Sequence, residues 1–125
     1  MFKLKVYYED TDAAGVVYYA NYLKFLERAR TQLLFDSGIT HTHLKEKFNI
    51  ITAVKSCEIN FIKSAKLDDN LEISTSLIKK SKIQIFLKQN IYCKNSIMVK
   101  AKVRIAIIDT KGKISKMPLH LFNIF

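Results

Sequence analysis

The run Ile97-Met98-Val99-Lys100-Ala101-Lys102-Val103-Arg104-Ile105-Ala106-Ile107 constrains this chain more than any other segment. Every odd position is apolar, while Lys100, Lys102 and Arg104 share the opposite face. Such alternation suits a strand with one buried face, because a one-residue slip would turn the whole apolar set toward water. Ile83, Ile85, Leu87, Ile91 and Cys93 repeat the pattern. Leu71, Ile73, Thr75 and Leu77 outline another strand, and Val54 to Ile62 a fourth with weaker alternation. Turn residues fall between them: Leu67-Asp68-Asp69-Asn70, Lys79-Lys80-Ser81-Lys82, Lys94-Asn95-Ser96 and Asp109-Thr110-Lys111-Gly112. Strands joined by such short connections must be antiparallel.

Upstream the period changes. Phe2 to Tyr8 is strand-like, and Tyr19 to Phe35 is helical, with Tyr22, Phe25, Leu26, Ala29 and Leu33 on one stripe. Gly38 is a natural residue to follow a helix end, and Thr40 to Phe48 reads as a short second helix capped by Thr40. One striped helix against one face of an antiparallel sheet is an α+β layer arrangement. A chain of 125 residues builds one core, so residues 1–125 are read as a single domain. No apolar run approaches the ~20 residues needed to span a bilayer, and the alternating N-terminus lacks a signal peptide's apolar stretch. Cys57 and Cys93 have no C-x-x-C spacing and read as small buried hydrophobes in a reducing cytoplasm. The apolar tail, Met117 to Phe125, is expected to pack on the body or on a neighbouring subunit.

The net charge of +10 is unevenly spread. Residues 1–78 balance ten Lys/Arg against ten Asp/Glu, whereas residues 79–125 set eleven Lys/Arg against the single acid Asp109. That half of the chain attracts polyanions, among them nucleic acid and the phosphates of coenzyme A; a solvated lysine-rich face is the plainer alternative.

Chemistry concentrates in Tyr8-Glu9-Asp10-Thr11-Asp12-Ala13-Ala14-Gly15-Val16-Val17-Tyr18-Tyr19-Ala20-Asn21-Tyr22. Two carboxylates, a glycine turn and a helix start follow one another there. A carboxylate beside the N–H groups of a helix N-terminus can attack a carbonyl, or activate water against it, while those N–H groups stabilise the oxyanion. An Asp before a helix is also a common cap. A calcium loop is excluded: with Asp10 at its first position the twelfth is Asn21, where a bidentate glutamate is required. His41, His43 and His120 have no metal-ligand spacing, so no metal is expected.

The run from Tyr8 to Arg30, including Asn21-Tyr22-Leu23-Lys24-Phe25-Leu26-Glu27-Arg28-Ala29-Arg30, resembles the signature of hot-dog-fold acyl-CoA thioesterases. It is similar to the 4-hydroxybenzoyl-CoA thioesterase type, in the branch associated with the bacterial Tol–Pal system. Phe61 to Leu71, with Ala65-Lys66-Leu67-Asp68-Asp69, resembles that branch too. The resemblance implies a hot-dog fold, an antiparallel sheet wrapped around one long helix, and no cofactor.

It also implies the site. Asp12, the second aspartate of D-x-D-x-x-G, would be the nucleophile or the general base; the sequence leaves both open. The backbone N–H of Tyr19 would be the oxyanion donor. Gly15, Val17 and Asn21 would contact substrate, with Gly15 permitting the turn and Asn21 holding the Asp12 loop. Lys79, Lys80 and Lys82 would hold the nucleotide end of coenzyme A, and Asp10 would be structural. Relatives of that branch commonly carry histidine where this chain has Tyr19, which removes an imidazole but not the backbone donor, and proline where it has Ser64, which implies a looser turn. The expected substrate is acyl-CoA or an acyl group on acidic acyl carrier protein. The expected assembly is a homodimer or tetramer with Asp12 at the subunit interface. Two readings compete: a hot-dog binding module without hydrolysis, and a basic nucleic-acid-binding protein, for which Phe86 and Tyr92 make a thin stacking platform, so no nucleic acid is expected.

Overall fold

The computed structural model describes residues 1–119 and 122–125. Its elements run β1 (Phe2–Lys5), α1 (Asn21–Asp36), α2 (His41–Phe48), β2 (Ile51–Phe61), β3 (Asn70–Lys80), β4 (Gln84–Cys93) and β5 (Ser96–Ile108), with a 3-10 turn at Tyr8–Asp10. The strands form one antiparallel sheet in the order β1-β3-β4-β5-β2. The expected α+β hot-dog arrangement is what the chain adopts. Both edges are strands of unequal length: β1 has 4 residues and β2 has 11.

Alternation decides which face each strand buries. In β5, Val99, Ala101, Val103, Ile105 and Ile107 are buried, opposite Ile85, Leu87 and Ile91 of β4, while Lys100, Lys102 and Arg104 face outward. The inner face is covered in two parts. At the end where β3 begins, α1 lays Tyr22, Phe25, Leu26 and Ala29 on Leu71, Ile73, Ile91 and Val99. At the other end Leu44 of α2, Ile50 and Met117 cover Ile85, Leu87, Val103, Ile105 and Ile107, joined by Ile124 and Phe125. The apolar tail thus packs on its own body, although Leu119 remains exposed. His120 and Leu121 lie outside the described residues.

Several boundaries move for identifiable reasons. β1 stops at Lys5 and not at Tyr8, because beyond Val6 the Asp10 carboxylate takes the Tyr7 N–H at 2.8 Å, which winds the chain into the 3-10 turn. α1 begins at Asn21, with Tyr19 and Ala20 in the turn before it. Its last buried residue is Leu34, which lines a cleft with Ile50, Ile85 and Ile105, while Leu33 is only half-buried. Lys79 and Lys80 belong to β3, whose register shifts between Leu77 and Lys79, so the turn starts at Ser81. The Lys94–Asn95 turn holds as read: both residues have positive φ (50° and 67°), which matches a two-residue hairpin connection. Thr40 caps α2, its hydroxyl accepting the His43 N–H at 3.0 Å.

Candidate active site

Asp12 stands on a small loop fixed almost wholly by backbone. Its N–H bonds Val16 O at 2.9 Å, and its own carbonyl accepts the Gly15 N–H at 3.0 Å. Gly15 has φ +79°, which a side chain disfavours, although a Cβ there would meet nothing within 4 Å. The glycine is therefore required by the turn and not by crowding. One carboxylate oxygen of Asp12, Oδ1, accepts the Ala14 N–H at 2.8 Å; Oδ2 has no hydrogen-bond partner among the described residues, and the side chain is exposed.

The loop is clamped from both sides. Toward the helix, Asp10 O accepts the Tyr18 N–H and the Asn21 side-chain amide, each at 2.9 Å. Asn21 thus ties α1 to Asp10, not directly to Asp12. Toward β3, Val17 N–H bonds Ala65 O at 2.8 Å and Leu67 N–H bonds Gly15 O at 3.2 Å. Ala65 N–H in turn donates to the Tyr22 hydroxyl at 3.1 Å. Burial first, and the nearby Asp69 carboxylate to a lesser degree, push the Tyr22 hydroxyl above its ordinary pKa against the opposing Ala65 bond, so it stays neutral and able to accept. The two stretches singled out in the sequence therefore hold each other.

At the start of α1, Asn21, Tyr22 and Leu23 donate back to Tyr18, Tyr19 and Ala20, whereas the Tyr19 and Ala20 N–H groups find no acceptor among the described residues. The Tyr19 ring is exposed, 5.0 Å from the Tyr18 ring and edge-on to Phe61 at 6.0 Å. Phe61 also meets Tyr22 at 5.7 Å. Phe61, the first residue of the second resembling stretch, carries no role in that resemblance, yet it joins the end of edge strand β2 to this loop. Val17 is buried beneath it. An exposed carboxylate, open N–H donors and an aromatic wall can accommodate attack on a polarised carbonyl.

The structure brings Asp12, Gly15, Val17, Tyr19 and Asn21 together and leaves the three lysines elsewhere. β3 spans 11 residues, roughly 33 Å at ~3.3 Å per residue, with the Asp12 loop near its start and Lys79 and Lys80 at its finish. The lysines do not form one cluster either. Lys79 lies over the Phe86 ring at 4.6 Å. Lys80 faces the opposite way, bonding the carbonyls of Phe122 and Phe125 at 2.6 and 3.1 Å. Lys82 is exposed beyond the strand. Alternation explains the split, since neighbouring strand residues point to opposite faces.

Sequence reading also missed a polar network inside the core. Gln89 is fully buried on β4; its amide donates to Leu26 O at 3.1 Å and to the Thr75 hydroxyl at 2.9 Å, and its carbonyl accepts Arg30 Nη1 at 2.9 Å. The inward position of Gln89, flanked by Leu87 and Ile91, was the available signal. No group of three or more His, Cys, Asp or Glu able to hold a metal occurs among the described residues.

Comparison with known proteins bears on the family and the fold. A family model described as the thioesterase-like superfamily matches residues 6–125. The chain is 40% identical over 108 residues to the acyl-CoA thioesterase YbgC of Haemophilus influenzae, covering 86% of this chain and 79% of that protein. It is 34% identical to the acyl-CoA thioester hydrolase YbgC of Escherichia coli O6:H1, over 85% of this chain and 79% of that one. The crystal structure of a probable thioesterase from Bartonella henselae superposes with a TM-score of 0.90 at 38% identity, covering 94% of this chain and 97% of that chain. The chain belongs to the thioesterase-like superfamily.

Proposed function

We propose that this protein hydrolyses acyl-CoA thioesters, with Asp12 acting as nucleophile or general base and the Tyr19 N–H as oxyanion donor. The observation that carries the assignment is the pairing of an exposed Asp12 carboxylate, one oxygen uncommitted, with unoccupied N–H donors ahead of α1. Thiolate is a good leaving group, so no strong acid is needed to expel it. As nucleophile, Asp12 adds to the carbonyl and releases coenzyme A thiolate, leaving a mixed anhydride that water opens. As base, it takes a proton from the attacking water. Asp10 is the structural member, its carboxylate spent on the Tyr7 N–H.

The working unit is a homodimer or tetramer. Edge strand β2 leaves its outer hydrogen-bonding side open over 11 residues, and Tyr19, Phe61 and Ile62 expose apolar surface at its end. Two copies joined antiparallel along β2 set the Phe61 end of one against the Ile51 end of its mate. The same pairing carries the mate's Lys79 and Lys82 toward the Asp12 side, where they serve the phosphates of coenzyme A. Acyl carrier protein is a second donor, because Lys100, Lys102 and Arg104 offer an outward basic face to an acidic partner. The proposed compartment is the cytoplasm, a reading that the two free cysteines, Cys57 and Cys93, support; among the described residues no helix is long and apolar enough to cross a membrane. Thiol release from an acyl-CoA series tests the function. Turnover on at least one member supports it, while salt-sensitive binding of an RNA or DNA probe with no hydrolysis overturns it.

A further inference from the structure

A second cleft, of about 500 Å³, opens between α1, α2 and the Ile51 end of β2. That volume is in the range of small-ligand sites. Its apolar lining includes Leu34, Ile50, Ile85 and Ile105, all buried, and Arg30, Lys45 and Glu27 are its charged members, beside His41 and three threonines. Two cations against one carboxylate leave the lining net positive.

Arg30 is the unusual member. Its side chain is half-buried, and burial pulls its pKa below the ordinary value, opposed by electrostatic attraction to Glu27 and then Cys57. No carboxylate lies within ion-pair distance of it among the described residues. Its one hydrogen bond goes to neutral Gln89, which is itself saturated by Leu26 and Thr75 and so cannot turn away. Glu27 is otherwise engaged, accepting the Thr31 hydroxyl at 2.7 Å. A guanidinium carries five N–H donors, so most of those on Arg30 remain available beside the cleft. A partly buried charge with no bonded counter-charge is costly, and a ligand that supplies one recovers part of that cost.

We infer that Arg30 is a specificity-determining residue that selects acyl groups ending in a carboxylate, the apolar walls of the cleft receiving the methylene chain. The inference rests on the proposed thioesterase reading and on pairing along β2. In that pairing, the mate's cleft, which contains Ile51, Thr52 and Val54, comes beside the Asp12 loop at Phe61. The thioester then sits at Asp12 of one subunit, with its acyl chain running into the cleft of the other. A planar fork matches a carboxylate in two parallel bonds, which a methyl terminus cannot accept.

Pentanoyl-CoA and glutaryl-CoA have acyl chains of equal length and differ in the terminal carboxylate. In the full-length protein, Arg30→Gln should lower kcat/KM for glutaryl-CoA by about tenfold or more, chiefly through KM, and leave pentanoyl-CoA within about threefold. Arg30→Lys should fall between, keeping charge but losing the fork. An equal fall on both substrates would assign Arg30 a merely structural role and overturn the inference. Because Arg30→Gln strips buried Gln89 of its donor and can cost folding, calorimetric binding of both thioesters to Asp12→Asn protein supplies a readout with Arg30 intact. Tighter binding of glutaryl-CoA supports the inference, and equal or weaker binding overturns it. That comparison needs no turnover, so failure to hydrolyse any acyl-CoA would count against the thioesterase reading alone.

Discussion

Where β3 begins, position is set by backbone: the Asp12 loop is held by main-chain bonds to Val16, Ala65 and Gly15. Where β3 finishes, position is set by side chains: α2 and the tail pack Leu44, Met117 and Phe125 over the sheet, and a cleft remains between them. The first end presents a carboxylate with little packed around it. The second holds a half-buried guanidinium with no carboxylate within ion-pair distance among the described residues. A backbone-built loop holds an exposed reactive group steady at small cost, since each bond satisfies a group that needed a partner anyway. A side-chain-built cleft can change its contents residue by residue. That division suits fixed chemistry at one end and variable selectivity at the other.

The comparison breaks most visibly if one subunit suffices. Dilution monitored by light scattering should abolish activity as the mass falls to that of one chain, because each end then lacks its complement. A monomeric mass with full activity would sink the shared site. Next in size is Gly15→Ala. Its Cβ has room, so the expense is conformational, about 1–2 kcal/mol in urea unfolding, with turnover falling as Asp12 shifts. Full stability and full turnover would show that the loop tolerates a different turn. At the other end, Lys80→Met removes two bonds to tail carbonyls and should cost about 1 kcal/mol without altering kcat. A drop in kcat there would tie the tail to the chemistry.

The smallest effect is at Asp109, in the turn after β5. The backbone N–H groups of Lys113 and then Lys111 hold its carboxyl below the usual range. Its folded pKa is depressed, so its contribution is present above the unfolded carboxylate value and is lost as pH falls through the folded one. Asp109→Asn should remove a slight acid-side slope from a thermal unfolding series; an unchanged slope would mean that the turn does not depend on the charge.

How much of this was legible in the sequence depended on whether the signal was local. Strand faces followed from alternation, the Lys94–Asn95 turn from its residues, and the α2 cap from Thr40. The Asp12 loop could be placed because all its parts lie within fifteen residues. Lys79, Lys80 and Lys82 misled because adjacency in a strand is separation in space, one side chain lying on Phe86 and the next under the tail. Leu33 and Leu34 were exchanged because Leu34 lines a cleft with Ile50, Ile85 and Ile105, residues distant in sequence that no local pattern marks. The Arg30–Gln89 pair joins residues 59 apart, and only the packing of α1 on β4 brings them together.

The central claim is that one of the two neighbouring aspartates does chemistry and the other holds structure. Thiol release by wild type, Asp12→Asn and Asp10→Asn on one acyl-CoA, with unfolding curves for each, tests it most directly. Asp12→Asn should fold normally and lose about a hundredfold or more in kcat, since the change keeps the shape and removes the charge. Asp10→Asn should keep substantial activity and lose about 1 kcal/mol of stability, because its carboxylate only caps the turn at Tyr7. Near-normal turnover in Asp12→Asn, or equal loss at both positions, would contradict the assignment.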